Sequence, residues 1–240
     1  MFFIESEIKD APFYFAVEEL FTRHHKKSRQ AVIIWRTDDL VMIGNNQVVE
    51  AEVNTVFARE LGLRVVRRSS GGGAIYTDLN TVQYTFIEPL ENDAKSHMEK
   101  AAAVIIEILN DMGVPAKREG KNDILLDGKK ISGLAQYVSG SHVCTHGSLL
   151  FDTNLDTLSK VLLPNEIKLR PKGISSIRSR VRNLKPYLNN DISVLDFMSI
   201  LKDNILVDDV NNYMLNDDDS TFIKKVMQEK YENNDWNYRM

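Results

Sequence analysis

The stretch Arg67-Arg68-Ser69-Ser70-Gly71-Gly72-Gly73-Ala74-Ile75-Tyr76 is the most informative part of the sequence. It continues directly from Leu63-Arg64-Val65-Val66, which predicts a strand, so the glycine cluster begins where a strand ends. Three successive glycines leave their backbone N–H groups unobstructed and free to adopt a positive φ, and two arginines just before them supply positive charge. The segment therefore predicts a concave site for an anion, such as a phosphate or an acyl-adenylate.

Two common nucleotide-binding motifs do not occur around these glycines. No Gly-Lys-Ser/Thr follows at the spacing of a Walker A loop, and no G-x-G-x-x-G opens a helix. This disfavours a P-loop ATPase, a kinase or a Rossmann-type dehydrogenase. The alternative is a glycine-rich hairpin with surface arginines, and the two serines next to the arginines favour the anion site over it.

The composition is that of an ordinary globular domain. The chain has 240 residues, 43% of them hydrophobic and 27% charged, which is enough to bury a core without metals or disulfides. A net charge of −4 disfavours nucleic acid as a partner and favours small molecules or proteins. Cys144 is the single cysteine, so no intrachain disulfide and no cysteine-based zinc site can form. With no signal peptide and no long apolar run, we expect a cytoplasmic protein that is neither secreted nor membrane-spanning.

Hydrophobic periodicity predicts helices and strands mixed along the chain. Thr37-Asp38-Asp39 and Asp127-Gly128 each predict the turn of a β-hairpin, and the acidic run Asn216-Asp217-Asp218-Asp219 predicts a solvated loop and helix N-cap. This pattern favours an α/β or α+β fold around a mixed, mainly antiparallel sheet. The predicted helices lie at 12–25, 50–61, 95–112, 155–162, 193–206 and 220–231, and the predicted strands at 31–36, 40–44, 63–67, 81–89 and 146–152, with two further strands within 122–136 joined at Asp127-Gly128.

A second candidate segment is Gly128-Lys129-Lys130-Ile131-Ser132-Gly133-Leu134-Ala135. Strand alternation predicts that Lys130 and Ser132 point to the same face, next to Gly133, where a ligand can approach the backbone closely. A lysine in that position would stabilise a phosphate or a developing oxyanion. The alternative is that both lysines are solvated residues of a hairpin turn.

Two further segments contain reactive or basic residues. In Cys144-Thr145-His146-Gly147-Ser148, a cysteine close to a histidine suggests a nucleophile, although a free cysteine is more often a small buried residue. Residues 168–183 contain six lysines and arginines with little periodicity, which predicts either a loop that closes over a phosphate-containing ligand or a nucleic-acid patch. The acidic overall charge favours the loop.

Taken together, these segments resemble the lipoate–protein ligase family, which belongs to the biotin/lipoate ligase and octanoyltransferase superfamily. The resemblance begins at Phe15-Ala16-Val17-Glu18-Glu19, continues through Trp35-Arg36 and Ile43-Gly44-Asn45-Asn46-Gln47, and then includes the four segments above in order. It implies an α/β domain with a mixed, mainly antiparallel sheet flanked by helices, similar to biotin/lipoate ligases and to the catalytic domains of class II aminoacyl-tRNA synthetases.

The chemistry that the resemblance implies has two steps. Lipoate attacks the α-phosphate of ATP, bound with Mg²⁺, to give lipoyl-adenylate and pyrophosphate. A lysine of an acceptor lipoyl domain then attacks this mixed anhydride. The implied acceptors are the acyltransferase subunits of 2-oxoacid dehydrogenases and the glycine cleavage H protein.

The resemblance also implies a role for individual residues. Lys130 matches the family's essential lysine, Asp123 would contact Mg²⁺ through ATP, and the loop 168–183 would fold over the adenylate. The residues that would bind ATP or lipoyl-adenylate are Arg68, Ser70, Gly71, Gly72, Gly73, Ala74, Ile75, Tyr76, Asn122, Asp123, Lys130, Ser132, Gly133, Ala135, His146, Gly147, Lys172 and Gly173.

The sequence departs from the family pattern at several positions. Thr77 stands where a histidine is common, and Asn80-Thr81 stands where Gly-Asn is common, which affects the expected fine contacts to the ligand. The chain stops soon after Trp236, where bacterial ligases usually continue into a small accessory domain. We therefore expect residues 1–240 to form a catalytic domain without that accessory domain, which would come from a separate small subunit, be left out, or be unnecessary if preformed adenylate is used.

Three alternatives remain at this stage. A cysteine-dependent octanoyl or lipoyl transferase would form a thioester on Cys144, but Cys144 lies one residue further from His146-Gly147 than in those enzymes. Another transferase branch places its cysteine where Asn122-Asp123 stand here, and a biotin ligase has a different arginine–glycine loop. A non-catalytic acyl-adenylate-binding protein is the third alternative, which a test for adenylate formation distinguishes.

Overall fold

The structure is a computed structural model that describes residues 1–24, 30–91, 93–163, 177, 180–188, 191–206 and 211–239. Its strands form one large and one small sheet. The strands are β1 Phe2–Ile4, β2 Ala31–Trp35, β3 Leu40–Ile43, β4 Arg64–Arg67, β5 Ile75–Thr77, β6 Thr81–Pro89, β7 Lys117–Glu119, β8 Asp123–Leu126, β9 Lys129–Ser139, β10 His142–Leu150 and β11 Asn211–Tyr213.

The helices flank these sheets. The first continues into a π-helical turn at Leu20–His24, and the seventh into another at Met227–Tyr231; a 3₁₀ turn lies at Lys185–Tyr187. The α-helices are α1 Ala11–Glu19, α2 Val49–Glu52, α3 Thr55–Glu60, α4 Ala94–Asp111, α5 Leu155–Val161, α6 Val194–Ile205, α7 Asp217–Val226 and α8 Asn234–Asn237.

The large sheet has eight strands in the order β11-β1-β2-β6-β10-β9-β8-β7, and the small sheet has three in the order β4-β3-β5. In the large sheet β1 runs parallel to β2 and β11, and the other neighbours are antiparallel. In the small sheet β3 is parallel to β4 and antiparallel to β5. The expected mixed, mainly antiparallel architecture flanked by helices is therefore confirmed.

Both faces of the large sheet are covered. One face packs against apolar residues of α4 and α6, including Ile105 and Phe197, while the other packs against α1 and α7. Every residue of α1 is buried, including Glu18 and Glu19. Since a buried carboxylate needs hydrogen-bond or ion-pair partners, these two glutamates show where polar groups lie inside the core.

The predicted hairpin around Thr37-Asp38-Asp39 is wrong. Its two strands form as predicted, but β2 pairs with β1 and β6 in the large sheet, whereas β3 pairs with β4 and β5 in the small one. Thr37 is fully buried, and the Asp38 N–H donates to the carbonyl of Lys9. The connection carries the chain from one sheet to the other because each strand finds a distant partner that local turn chemistry cannot indicate.

The second predicted hairpin, at Asp127-Gly128, is confirmed. Both residues have a positive φ, 48° and 72°, as a two-residue hairpin turn requires, and β8 pairs antiparallel with β9. A register shift opposite Ile124/Leu125 places Lys130 across from Leu125 and Ser132 across from Ile124. Ile131 is therefore an extra residue, a β-bulge that reorients the side chains on either side of it.

This bulge makes the shared face predicted for Lys130 and Ser132 wrong. The Ser132 hydroxyl lies 3.1 Å from the Tyr84 hydroxyl, among the residues that pack against α4. A Cβ built on Gly133 would lie 2.7 Å from the Lys130 amine, so Lys130 lies over Gly133 on the opposite face. Simple alternation fails here because the bulge inserts one residue between Lys130 and Ser132.

The predicted helices are largely confirmed, with two details that the periodicity did not show. The helix expected at 50–61 is divided at Val53-Asn54, where Asn54 accepts from the Phe57 N–H and starts α3. The helix expected at 220–231 begins at Asp217, so the acidic residues predicted as a loop lie in its first turn, with Asn216 as the N-cap in a capping box with Asp219. In the part of the chain that the structure describes, no helix combines the length and the apolar character needed to cross a bilayer.

Candidate functional site

A pocket lies between the glycine segment of the small sheet and strands β9 and β10 of the large one. Its enclosed volume is about 140 Å³. It is lined by Phe15, Trp35, Met42, Arg68, Gly72, Gly73, Ala74, Ile75, Gln83, Asn122, Lys130, Gly133, Leu134, Ala135, His146, Gly147 and Ser148.

Close backbone contacts fix the glycine segment. A Cβ on Gly44 would lie 1.8 Å from the carbonyl oxygen of Gly72, so only glycine allows this approach, and Gly72 itself has a φ of 90°. The Ala74 N–H donates to a Glu52 carboxylate oxygen at 3.2 Å. The segment therefore already presents a backbone donor to an anionic oxygen, as expected for an anion site.

Arg68 supports this segment from inside. It is 5% exposed and donates to the carbonyl oxygens of Gly71 and Gly73, at 2.7 and 2.9 Å, and to that of Met42 at 3.3 Å. Burial lowers the pKa of its guanidinium to about 10, opposed by the Glu18 and Glu52 carboxylates, so Arg68 stays protonated at neutral pH. Arg68 thus sets the shape of the glycine segment and places a positive charge in the wall of the pocket.

A chain of buried polar groups continues from Arg68 to α1, and we call it the pocket-side network: Arg68, Ser70, His146, Glu18 and Thr85. Arg68 Nε donates to Ser70 Oγ at 3.0 Å, and Ser70 Oγ lies 2.6 Å from His146 Nε2. His146 Nδ1 lies 2.9 Å from Glu18 Oε1, which also accepts from Thr85 Oγ1 at 2.9 Å. Because a carboxylate only accepts, the Glu18 contact places a ring proton on Nδ1, and in the neutral ring Nε2 accepts the Ser70 proton.

The opposite side of the same segment contacts the C-terminal part of the chain, and we call this the outer network: Arg67, Ser69, Glu19, Lys230 and Tyr231. The Tyr231 hydroxyl and the Lys230 amine both donate to Glu19 Oε1, the former at 2.5 Å, and the amine also donates to Ser69 Oγ at 2.8 Å. Arg67 is fully buried and donates to six carbonyl oxygens, of Gly44, Asn45, Gln47, Trp236, Asn237 and Arg239.

Lys130 is the cation that the pocket leaves most open to a ligand. Its side chain is 36% exposed, and its amine lies 2.9 Å from Asp123 Oδ1. Its backbone is held on both sides, because its N–H donates to the carbonyl of Arg180 and its carbonyl accepts from the Arg182 N–H. Residues 180–182 are therefore hydrogen-bonded directly to the backbone of Lys130.

Asn122 and Asp123 lie at the start of β8, next to β9, and Asp123 pairs with Gly133 in the register of these two strands. The Asn122 amide donates to the carbonyl of Leu134 at 3.0 Å, which orients its side-chain oxygen. The Asp123 side chain is 39% exposed and contacts the Lys130 amine. This pair presents hard oxygen atoms beside a lysine at the rim of the pocket, which suits a phosphate group and a cation bound to it.

Cys144 lies near this site but behind it. The thiol of Cys144 and polar atoms of Glu18 and His146 all lie within 4.8 Å of one another, and all three residues are buried. Burial, together with the nearby Glu18 carboxylate, raises the pKa of the Cys144 thiol well above its usual range. A thiol that stays protonated is a poor nucleophile and a poor metal ligand, so this cluster does not support thioester chemistry.

The structure brings most of the predicted site residues to one pocket and places five of them elsewhere. Arg68, Gly72, Gly73, Ala74, Ile75, Asn122, Lys130, Gly133, Ala135, His146 and Gly147 line it. Lys172 and Gly173 lie outside the described residues. Ser70 supports His146 from behind, Gly71 lines a neighbouring cavity, Tyr76 donates to Asp39, Asp123 pairs with Lys130, and Ser132 faces Tyr84.

Several residues that line or support the pocket were not predicted. Phe15, Trp35, Met42 and Leu134 supply an apolar lining, and Glu18 orients His146. Phe15, Glu18 and Trp35 stand in the segments that carried the family resemblance, which was a usable signal. Met42 and Leu134 read as ordinary core residues, and only the position of their strands shows that they face a cavity.

Comparisons with known proteins agree on one family. The family described as "Lipoyl protein ligase A/B catalytic domain" matches residues 10–206. A lipoate-protein ligase of Bacillus subtilis, LplJ, is 37% identical over 99% of this chain and 73% of its own length. Lipoate–protein ligase 1 of Staphylococcus aureus is 31% identical, with 99% of this chain and 73% of the relative covered. Among solved structures, a bi-partite lipoate protein ligase of Thermoplasma acidophilum, studied with its E2 lipoyl domain, superposes with a TM-score of 0.87 at 25% identity, over 99% of this chain and 95% of that one.

Proposed function

The chain belongs to the lipoyl protein ligase A/B catalytic-domain family and is a lipoate–protein ligase, and from this premise we propose how its pocket works. Lipoate and ATP are its substrates, and a lysine of a lipoyl domain is its acceptor. The main support for the proposal is the position of Lys130. This partly exposed cation lies over Gly133 and lines the pocket together with the glycine segment.

In the first step, a carboxylate oxygen of lipoate forms a bond to the α-phosphorus of ATP, and the bond to pyrophosphate breaks. Two anionic groups must approach each other, so a cation between them lowers the barrier. Lys130 is placed to do this, because its amine projects into the pocket and its backbone is fixed at both N–H and carbonyl. Arg68 adds a second positive charge from the opposite wall.

In the second step, the amine of the acceptor lysine attacks the carbonyl carbon of lipoyl-adenylate, an amide bond forms, and AMP leaves with the electrons of the broken anhydride bond. Negative charge develops on the carbonyl oxygen and then on the leaving phosphate. The same ammonium group of Lys130 stabilises both, so one residue serves both transition states.

The apolar lining suits the hydrocarbon part of lipoate. Phe15, Trp35, Met42 and Ile75 are apolar residues of the pocket lining, and such side chains gain free energy by removing a ligand's CH₂ groups from water, about 0.8 kcal/mol for each group. The enclosed volume of about 140 Å³ is small for an acyl-adenylate. Part of the adenylate would therefore extend beyond the enclosed space.

Mg²⁺ is implied by the use of ATP, and the residues at the rim fit it. Asp123 and Asn122 offer a carboxylate and an amide oxygen, the kind of ligand that Mg²⁺ prefers. Bound with ATP, the ion would neutralise charge on the phosphates. Within this chain, Asp123 also holds the amine of Lys130, so its replacement should affect both metal dependence and the position of the lysine.

A thioester transferase is the function that this geometry disfavours, because the Cys144 thiol is fully buried and its pKa is raised. We expect Cys144→Ser to retain transfer, with any loss limited to a packing effect. Mass spectrometry of the protein during turnover checks this. A covalent acyl group on Cys144 that forms and disappears at the rate of product formation would replace the ligase by a transferase.

Adenylate formation distinguishes an enzyme from a binding protein. Purified protein, lipoate and Mg-ATP should yield little lipoyl-adenylate and pyrophosphate alone and much more when a small accessory protein of the family is added; chromatography and a pyrophosphate assay measure the two products separately. If neither product forms with the accessory protein present while ATP still binds, the proposal of an adenylate-forming enzyme fails for this chain. Robust pyrophosphate release by the chain alone would show that it needs no accessory subunit, and cytoplasmic location stays a prediction.

A further inference from the structure

A second and larger cavity opens beside the pocket, and we call it the vestibule. Its volume is about 960 Å³. It shares Gly72, Asn122, Leu134 and Ala135 with the pocket, so the two spaces meet along the glycine segment and β9. The vestibule is otherwise lined by Gly71, Lys95, Met98, Glu99, Arg118, Gly120, Lys121 and Gln136.

The transfer step needs an opening of this kind. The acceptor lysine belongs to a folded domain, so its amine must reach the activated carbonyl while the rest of that domain stays outside. The vestibule ends at Asn122, next to Asp123, whose carboxylate contacts the Lys130 amine. A lysine side chain that enters here arrives beside the group that stabilises the reaction.

The vestibule is basic, although the protein as a whole has a net charge of −4. Three cations, Lys95, Arg118 and Lys121, face one carboxylate, Glu99. Glu99 lies 3.7 Å from the Lys95 amine and 3.5 Å from an Arg118 nitrogen, so it is shared between two of them. Lys121 is exposed, and its amine has no ion-pair partner among the described residues. Two positive charges therefore remain uncompensated at this opening.

We propose that the vestibule is the docking entrance for the acceptor domain, which presents acidic groups beside its target lysine to Lys95, Arg118 and Lys121. This inference rests on the proposed lipoyl transfer. Charges at the rim of an interface mainly guide encounter and set orientation, so the contacts act on acceptor binding rather than on the chemical step. The same cations could instead serve the nucleotide, and the test separates these two uses.

The test compares Lys121→Glu and Lys95→Glu with Lys117→Glu, a matched control that is exposed on the same strand as Arg118 and does not line the vestibule. Each protein receives synthetic lipoyl-adenylate with one of two acceptors: a lipoyl domain, or hydroxylamine, a small neutral nucleophile that needs no docking and whose protein-free reaction with the adenylate is subtracted. We expect kcat/KM for the domain to fall about tenfold in the two vestibule variants, through KM, and to stay within about twofold of wild type in the control. Hydroxamate formation should be equal in all four proteins.

Each of the other possible results of this experiment rejects the docking entrance. Equal kcat/KM for the domain in Lys121→Glu and Lys117→Glu would overturn the docking entrance. A matching loss of hydroxamate formation in Lys121→Glu would assign the cations to the adenylate and also overturn it. If wild type forms hydroxamate but never modifies the domain, adenylate binding stands and docking here is rejected. If wild type forms neither product, the proposed function itself fails and the docking entrance with it.

Discussion

The two sides of the short stretch from Arg67 to Ser70 hold different kinds of structure. Arg68 and Ser70 face the pocket, and Arg67 and Ser69 face the C-terminal part of the chain. The neighbouring glutamates of α1 divide in the same way, with Glu18 in the pocket-side network and Glu19 in the outer network. Three pairs of identical neighbours, Arg67/Arg68, Ser69/Ser70 and Glu18/Glu19, are thus divided between two networks.

The difference lies in what each network contacts. Arg67 gives its donors to carbonyl oxygens of the chain itself and has none directed to a ligand. The pocket-side network ends on residues that line the cavity, Arg68 and His146. The outer network should therefore affect mainly the free energy of unfolding, whereas the pocket-side network should affect ligand binding and catalysis. Burial alone would not separate them, since Arg67, Glu19 and Tyr231 of the outer network are as buried as the pocket-side residues.

The largest effect should come from Lys130, a cation that lines the same pocket as Arg68 and His146 of the pocket-side network. We expect Lys130→Ala to lower overall transfer by two to three orders of magnitude while the fold stays intact, because it removes a charge that stabilises both transition states. Lys129→Ala is the control, since Lys129 lies next to it in the hairpin and does not line the pocket. Rates of adenylate formation and of transfer measure this; near-normal rates in Lys130→Ala would remove it from the mechanism.

Replacing Arg67 and Arg68 one at a time tests whether the outer and pocket-side networks have different roles. Arg67→Ala should lower the free energy of unfolding by about 3 kcal/mol, because it leaves buried carbonyl oxygens without a donor. The activity of the protein that stays folded should change by less than about threefold. Arg68→Ala should lower activity at least tenfold, since the glycine segment loses its support and the pocket loses a positive charge.

Chemical denaturation and initial rates on the same samples provide both quantities. A large loss of activity in folded Arg67→Ala would show that the outer network also controls the site. The division between the two networks would then have to be abandoned.

The two glutamates allow a closer match, because the same substitution can be made at adjacent positions. Glu18→Gln should weaken the hold on His146 Nδ1 and lower kcat/KM for lipoate about tenfold. Glu19→Gln should leave kcat/KM close to wild type and lower the free energy of unfolding by about 1–2 kcal/mol. If both variants lose activity equally, the two networks are not functionally distinct.

The smallest effect concerns pH. Burial alone would raise the pKa of the Glu19 carboxyl, but the hydrogen bonds and charge of Lys230, with Tyr231, outweigh it and hold that pKa below its ordinary value of 4.5. A lowered pKa in the folded state means that stability from this group is present above pH 4.5 and is lost as the pH falls below it. Urea denaturation at several acidic pH values should show a steeper loss in wild type than in Glu19→Gln, and parallel losses would contradict this assignment.

Much of the architecture was predictable because local patterns and distant contacts agree there. The hairpin at Asp127-Gly128 and the helix at 95–112 are such cases. The supposed hairpin at Thr37-Asp38-Asp39 was wrong because sheet partners are chosen by contacts far along the chain. Ser132 was placed on the wrong face because a bulge at Ile131 interrupts the alternation, and residue types give no sign of it.

For the site, the sequence identified the segments but not the task of each side chain. Arg67 and Arg68 look equivalent in residue pattern, and alternation alone does not say which one faces a ligand; only the family resemblance selected Arg68. Glu18 was not assigned to the site, because a glutamate on a predicted amphipathic helix is ordinarily solvated. Its role depends on β10 bringing His146 next to α1, a contact between residues 128 positions apart.

Lipoyl transfer by this pocket is tested most directly by mass spectrometry of an isolated lipoyl domain after incubation with lipoyl-adenylate and either wild-type protein, Glu19→Gln or Lys130→Ala. We expect one added lipoyl group on a single lysine with the first two proteins, and little above the uncatalysed background with Lys130→Ala. A domain that is modified equally by wild type and by folded Lys130→Ala would show that Lys130 is not the cation that promotes lipoyl transfer in this pocket.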